Sequence, residues 1–405
     1  MSWEYKTLDQ LGEVSRGRSK HRPRNDPSLF GGKYPFIQTA DVKAANFYIT
    51  EYDTTYNEKG LAQSRLWNPG TLCITIAANI ADTGILAMDA CFPDSVMGFL
   101  PYEGIADVRF VKYCFDILQQ NCKKISQGAA QDNLSWEKLS TILFPAPPIE
   151  VQTKIADVLS TYDNLIENNK KQIKLLEEAA QRLYKEWFID LHFPGHEITP
   201  IVDGVPEGWT YKPFSEVFDY VRGKSYTSKE LSDTTGILMA NLKNIRAFGG
   251  YNRNAEKRFT GQYKANQMLY AGDIVMGVTD MTQERRLVGH VALVPDLGEK
   301  MTFSMDLIKI IPKLTDNLFL YSAMYYGGLS KQISPLANGV NVLHLKPEAM
   351  MGIEMLTPTK DILERYHQQF APMVTRIEAL QKQCDVAAEA RDRLIPKLMN
   401  REIEV

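Results

Sequence analysis

No window of this 405-residue chain approaches the eighteen or more apolar residues that a membrane-spanning helix needs. The first ten residues, MSWEYKTLDQ, hold no basic stretch followed by an apolar one, so no secretory signal is legible. A cytoplasmic protein without a membrane partner is expected. Cysteine is scarce: Cys73, Cys91, Cys114, Cys122 and Cys384 are odd in number and never spaced Cys-x-x-Cys, which excludes a disulfide framework and predicts buried free thiols. His192 and His196 have no cysteine companions, so no zinc site is expected. No G-x-x-x-x-G-K-[ST] phosphate loop occurs. Excess charge is lacking as well. A net charge of −3 excludes a protein that coats a polyanion by bulk charge, so any such contact must be local. What remains, 44% hydrophobic and 23% charged residues, is ordinary for a folded chain with room for two or three domains.

One local concentration of cations is present. Arg16-Gly-Arg-Ser-Lys-His-Arg-Pro-Arg24 alternates charge with small and turn-forming residues. Taken alone, it reads as a solvated basic loop or as a contact for an anionic polymer.

The chain contains an internal repeat. Trp3 and Arg16-Gly17 recur as Trp209 and Arg222-Gly223, an offset of 206 residues. Gly128, Leu134, Pro147 and Leu183 recur as Gly339, Leu345, Pro358 and Leu394, an offset of 211. Between these anchors the match degrades, so the middle of each copy has been free to differ.

The repeat ends in two helices. Positions Ile155, Leu159, Tyr162, Ile166, Asn169, Ile173, Leu176, Ala180, Leu183 and Trp187 are spaced alternately by four and three, and nine of the ten are apolar. Adding 211 gives Tyr366, Phe370, Met373, Ile377, Leu380, Cys384, Ala387, Arg391, Leu394 and Leu398, again nine of ten. A 3.5-residue repeat is a coiled-coil seam, and either helix alone would leave its apolar stripe wet. The two stripes are expected to pair antiparallel within one chain. Each helix, at some 40 residues, would reach about 60 Å at ~1.5 Å per residue. Pro372 predicts a kink or a late start in the second helix. A generic helical hairpin or dimerisation zipper is the plainer alternative.

The remaining segments mix short β-type runs, Tyr34–Ile37, Thr71–Ile76 and Gly84–Met88, with one helical stretch per copy, Val108–Gln120 and Leu318–Tyr326. The fold class expected is α+β: two similar mixed α/β domains, 1–148 and 209–358, joined by helices 149–190 and 359–405, with a linker over 191–208 in a pseudo-two-fold arrangement.

Three phrases then resemble one family. Val205-Pro-Glu-Gly-Trp209 opens the second copy, Pro147-Pro148 precedes Glu150-x-Gln152-x-x-Ile155, and Leu183-Tyr-Lys-Glu-Trp-Phe-Ile-Asp-Leu-His-Phe-Pro194 closes the first helix. Together with the duplication, these resemble the specificity subunits of type I restriction-modification systems over essentially the whole chain. The resemblance implies two target-recognition domains, each reading half of a bipartite site in double-stranded DNA. It also implies two helices that set the spacing and dock methyltransferase subunits, two of them expected, with restriction/translocase subunits in the full complex. The second copy departs from the pattern, since Asp361-Ile-Leu-Glu364 lacks a counterpart of Gln152.

Catalytic signatures are missing. Ala146-Pro-Pro-Ile149 has the prolines of an adenine-methyltransferase motif without its amide, and Pro295-Asp296 with Glu299-Lys300 lacks a nuclease spacing. The chain therefore reads as a non-catalytic subunit that binds no cofactor itself, S-adenosylmethionine, ATP and Mg being implied for its partners. A coiled-coil protein-interaction scaffold without DNA specificity is the alternative.

Cations position a protein on phosphates, whereas Arg on guanine and Asn or Gln on adenine identify bases. The expected DNA contacts in the first copy are Arg16, Arg18, Ser19, Lys20, Arg22 and Arg24, with Gln127, Gln131 and Asn133 after the domain helix. In the second they are Arg222, Lys224, Ser225, Tyr226, Thr227 and Lys229, with Asn338 and Asn341. Asn241, Lys243, Asn244, Arg285 and Arg286 are further candidates. For the Gly/Asn-rich loops an ordinary turn is the competing reading.

Overall fold

Gly12–Arg16 and Phe218–Arg222, the segments that end in the repeated arginine, are strands with the same alternation: a buried first residue, an exposed second and an exposed arginine at the end. That shared pleat is the start of a shared topology. The computed structural model describes residues 3–76, 81–125 and 136–405. It divides into two units, Met1–Lys171 with Gln381–Val405, and Gln172–Leu380.

In the first unit one sheet runs in the order Gly12–Arg16, Val96–Pro101, Leu72–Thr75, Thr83–Leu86 and Tyr48–Ile49, antiparallel except for the last pair. In the second unit the corresponding order is Phe218–Arg222, Leu307–Pro312, Ile274–Gly277 and Val291–Leu293, all antiparallel. The central strands, made almost wholly of residues without polar side chains, are buried throughout. One helix backs each sheet, α1 (Val108–Ile125) and α3 (Asn317–Tyr325). Asp316 caps α3 by accepting from the amide of Phe319 at 2.8 Å, and Asp107 accepts from Arg109 at the same distance ahead of α1.

The long helices are α2, Ile149–Tyr184, continued by a π-helical turn over Lys185–Ile189, and α4, Lys360–Met399. The wider turn buries the adjacent Trp187 and Phe188 together. In the first unit Ile155 and Leu159 share a core with Ile395, Leu398 and Met399, while the Cys384 thiol lies 3.8 Å from the Ile166 carbonyl. In the second, Tyr184 and Trp187 pack on Tyr366, and Gln172 accepts from Arg376 at 3.2 Å. Rising numbers on α2 meet falling numbers on α4 in each unit, so the pairing is antiparallel in both. Ile166, Phe370 and Leu380 are buried, and Tyr162, Ile173, Leu176, Leu183, Met373, Ile377 and Leu394 are half-buried.

Pro372 does not delay α4. The helix begins at Lys360 and passes through the proline, which is exposed, as is Gln368, whose carbonyl loses its partner to the missing N–H. Gln152 marks the start of α2: buried, it accepts from the Asp107 amide at 3.1 Å and donates to the carbonyls of Ile105 and Pro147, each at 2.9 Å. Its repeat position, Leu363, lies instead in the apolar core of the second unit. Cys73, Cys91, Cys114 and Cys384 are free, and burial raises each thiol above its ordinary range. Among the described residues no helix is long and apolar enough to cross a membrane.

Candidate nucleic-acid interface

The repeated Arg-Gly pair has a steric cause. A Cβ on Gly17 would stand 2.3 Å from the Pro93 carbonyl oxygen, and one on Gly223 would stand 2.0 Å from that of Ser304. In both units the chain leaves its edge strand flush against a neighbouring backbone. The Arg18 amide donates to the Phe92 carbonyl at 3.0 Å and the Lys224 amide to that of Phe303 at 2.8 Å. Only glycine allows that approach, and it delivers the preceding arginine exposed at the strand end.

In the first unit the loop that follows presents Arg16, Arg18, Lys20, Arg22 and Arg24 to solvent, while Ser19 is buried. The Ser64 hydroxyl donates to the Arg18 carbonyl at 2.7 Å, and the His21 amide donates to the Gln63 side chain at 3.0 Å. The Arg22 guanidinium turns back to the carbonyls of Ser19 and His21, and Arg24 pairs with Asp94 at 2.7 Å. Arg16, Arg18 and Lys20 have no ion-pair partner among the described residues. Gln127, Gln131 and Asn133 lie outside the described residues.

The matching loop of the second unit holds its charge more tightly. Arg222 donates to both oxygens of Glu348, at 2.8 and 3.0 Å. The Tyr220 hydroxyl at 2.6 Å, together with that guanidinium, holds the Glu348 carboxyl down at about 2. Lys257 donates to the Tyr226 hydroxyl at 2.7 Å, and Thr227 caps the short turn Ser228–Glu230. Lys224 is half-buried, and Ser225 and Lys229 are exposed.

Four segments distant in sequence meet beside this loop. Backbone bonds join Met305 to Lys224 and Ser304 to Ala240, and the Asp306 carboxylate accepts from the hydroxyls of Thr279 at 3.2 Å and Ser304 at 3.3 Å. Strand Thr279–Asp280 pairs with Leu343–His344. The Gln283 amide then donates to the Val340 carbonyl at 2.7 Å, and the Phe248 amide to that of Arg286 at 2.7 Å. The loops carrying Arg222, Lys243, Arg285, Arg286, Asn338 and Asn341 are thereby tied together in one unit. Lys243, Arg286, Asn338 and Asn341 are exposed and Arg285 is half-buried. Arg286 is ion-paired with Glu284, and the Asn338 amide donates to its own loop at Leu336.

Asn241 and Asn244 are placed otherwise than expected. Both are buried: Asn241 donates to Asn244 and to the Ala255 carbonyl, and Asn244 donates to the Asn252 carbonyl and to Glu256. Their amides hold the loop, leaving no donor for a base edge in this arrangement.

Asp280 escaped the sequence reading. Wholly buried, it accepts from the amides of Thr282 (2.8 Å), Leu287 (2.6 Å) and Val288 (3.3 Å) and from the Thr282 hydroxyl (2.8 Å). Burial works to raise its pKa, but these donors outweigh it and the carboxyl lies below its ordinary value. The Asp-x-Thr spacing, which favours such a turn, is the signal that would have found it. No cluster of three or more potential metal ligands occurs among the described residues. The arrangement supplies cations and amides on buttressed loops, the inventory of an anion-binding surface.

Residues 1–178 match the family model of the type I restriction modification DNA specificity domain. The chain is similar to the type I restriction enzyme MjaIX specificity subunit of Methanocaldococcus jannaschii, 26% identical over 100% of this chain and 94% of the relative. It is also similar to the HindI specificity subunit of Haemophilus influenzae, 22% identical over 97% of this chain and 98% of the relative. The crystal structure of a type I restriction-modification S subunit from M. genitalium has the same fold, with a TM-score of 0.58 at 13% identity, covering 98% of this chain and 96% of the other. Over residues 1–178 the chain thus matches the type I specificity-domain model, and over nearly its whole length it is similar to type I restriction-modification specificity subunits.

Proposed function

We propose that this chain is the sequence-reading subunit of a type I restriction-modification complex, each unit recognising one half of a bipartite target in double-stranded DNA. The observation that carries this reading is the twofold occurrence of one device, an exposed arginine held at a strand end by a sterically required glycine. Exposed Arg and Lys contribute non-specific, salt-dependent affinity, and loop side chains contribute base identity. The paired helices set the spacing between half-sites and dock two methyltransferase subunits, to which restriction/translocase subunits add. Chemistry belongs to those partners, with S-adenosylmethionine, ATP and Mg bound there.

Mapping methylated adenines in cells that carry this chain and its methyltransferase partner tests the reading, with a bipartite motif as the expected result. Replacing residues 1–148 with those of a relative should change one half of that motif only. A motif unchanged by the exchange, or methylation by this chain alone, would overturn the proposal.

A further inference from the structure

Three large apolar side chains stand in solvent on the tied loops of the second unit: Phe248, 59% exposed, Met281, 77%, and Val340, 88%. Single exposed apolar residues are commonplace. These three differ because the loops that bear them are bonded to one another, Phe248 to Arg286 and Gln283 to Val340, and because the buried Asp280 holds the middle loop through four hydrogen bonds. Phe248 is also costly in its backbone. Its φ is 65°, in the left-handed region that a bulky side chain rarely adopts, and Gly249 and Gly250 follow at 115° and 87°. Such strain at a non-glycine residue persists only where surroundings enforce it, and it gathers at binding sites. Here it lifts an aromatic ring away from the core, edge-on to the buried His290 at 5.6 Å between centroids.

We infer that Phe248, Met281 and Val340 are the base-contacting face of the second unit, meeting thymine methyl groups in the major groove of duplex DNA, with Asp280 as the positioning residue of the middle loop. The inference rests on the DNA-reading function proposed above. Charge selects the occupant: Lys243 and Lys346 are exposed on the same tied segments with no ion-pair partner among the described residues, suiting phosphates at either side of a groove. In the major groove only thymine offers a methyl group, which apolar side chains read.

The assembled complex with its methyltransferase partner tests this by binding to targets in which each thymine of one half-site in turn is replaced by uracil, which removes only the methyl. The unsubstituted complex should lose about 5- to 10-fold in affinity at one or more thymines of the half-site read by the second unit. V340A and M281A, both at exposed positions, should abolish that sensitivity and leave the other half-site untouched. F248G should behave likewise while melting no lower than the parent chain, since glycine relieves the positive φ. A purely structural Phe248 would instead lower the melting temperature. D280N should alter base preference in the same half-site alone.

Three results would overturn the inference while sparing the proposed function: base preference unchanged in all these variants, indifference of the parent complex to every thymine methyl of that half-site, or variants that impair assembly with the partner but not base choice. A parent complex with no sequence preference at all would overturn both.

Discussion

The carboxylate of Asp163 on α2, with none of its surface exposed, accepts a hydrogen bond from the guanidinium of Arg391 on α4, and the Tyr113 hydroxyl donates to it at 2.6 Å. Burial and the adjacent carboxylate push the Tyr113 hydroxyl far above its ordinary range. The repeat-related residues in the second unit, 211 positions later and earlier, are Val374 and Ala180, which pack in or against an apolar core. One copy thus uses ions where the other uses hydrocarbon.

Removing one ion should cost far more than removing both. R391A leaves a buried carboxylate uncompensated and is expected to destabilise the first unit by about 3–5 kcal/mol. The combination D163V/R391A/Y113F, which installs the second copy's apolar pair and removes the phenol that would be orphaned, should recover most of that loss. Chemical denaturation of the three chains decides it, and equal losses in single and combined variants would refute the argument.

Gln152 carries a smaller and separable debt. Q152L introduces the residue type found at the repeat position but leaves the Asp107 amide and the carbonyls of Ile105 and Pro147 without a partner. A loss of about 1–3 kcal/mol is expected, read as a lower melting temperature with base preference unchanged.

The arginine-rich loop should reveal itself through salt. R16A, R18A and K20A each remove a cation that has no ion-pair partner among the described residues, so each should weaken DNA binding to every sequence and lower the slope of log K against log[salt] by about 1. R24A, already paired with Asp94, should change the slope less. Binding isotherms of the assembled complex from 50 to 200 mM salt, the range over which phosphate contacts are strongly screened, provide the comparison.

Asp280 predicts a pH dependence. Its folded pKa lies below the ordinary 3.8, so its contribution to stability is complete above that value and disappears as pH falls through the lower folded value. Hydrogen-exchange protection of the Thr282, Leu287 and Val288 amides should be greater in the parent chain than in D280N at pH 7. The difference should close only below pH 3.8, and a gap that closes already at pH 5 to 6 would exclude this carboxylate as the anchor.

What was legible in the sequence follows from how locally each feature is determined. The 3.5-residue spacing of Ile155, Leu159, Tyr162 and Ile166 announced a helical seam because burial of a helix depends on period alone. Arg16-Gly17 and Arg222-Gly223 announced a shared backbone constraint because steric exclusion leaves one residue type. Arg391 stood out as the cation in an apolar seam, yet Asp163 did not, since it lies one residue off the counted stripe. Asn241 and Asn244 misled because an amide serves a loop or a base equally well until the tertiary structure aims it. The late start that Pro372 suggested did not follow for a related reason: an exposed helix face tolerates the missing bond that a buried face would not. Phe248 gave no sign, because exposure of an aromatic ring is decided by segments 38 and 92 residues away, at Arg286 and Val340.

The core of the first unit contains Ile395, Leu398 and Met399, whereas the second unit is bounded by Gln172 and Leu380. A ribosome must therefore translate the whole of the second unit before the first can close. Nascent chains commonly fold from the N-terminus onward, but here the order is inverted: the half made first finishes last. For that interval Ile155 and Leu159 have no apolar cover from α4.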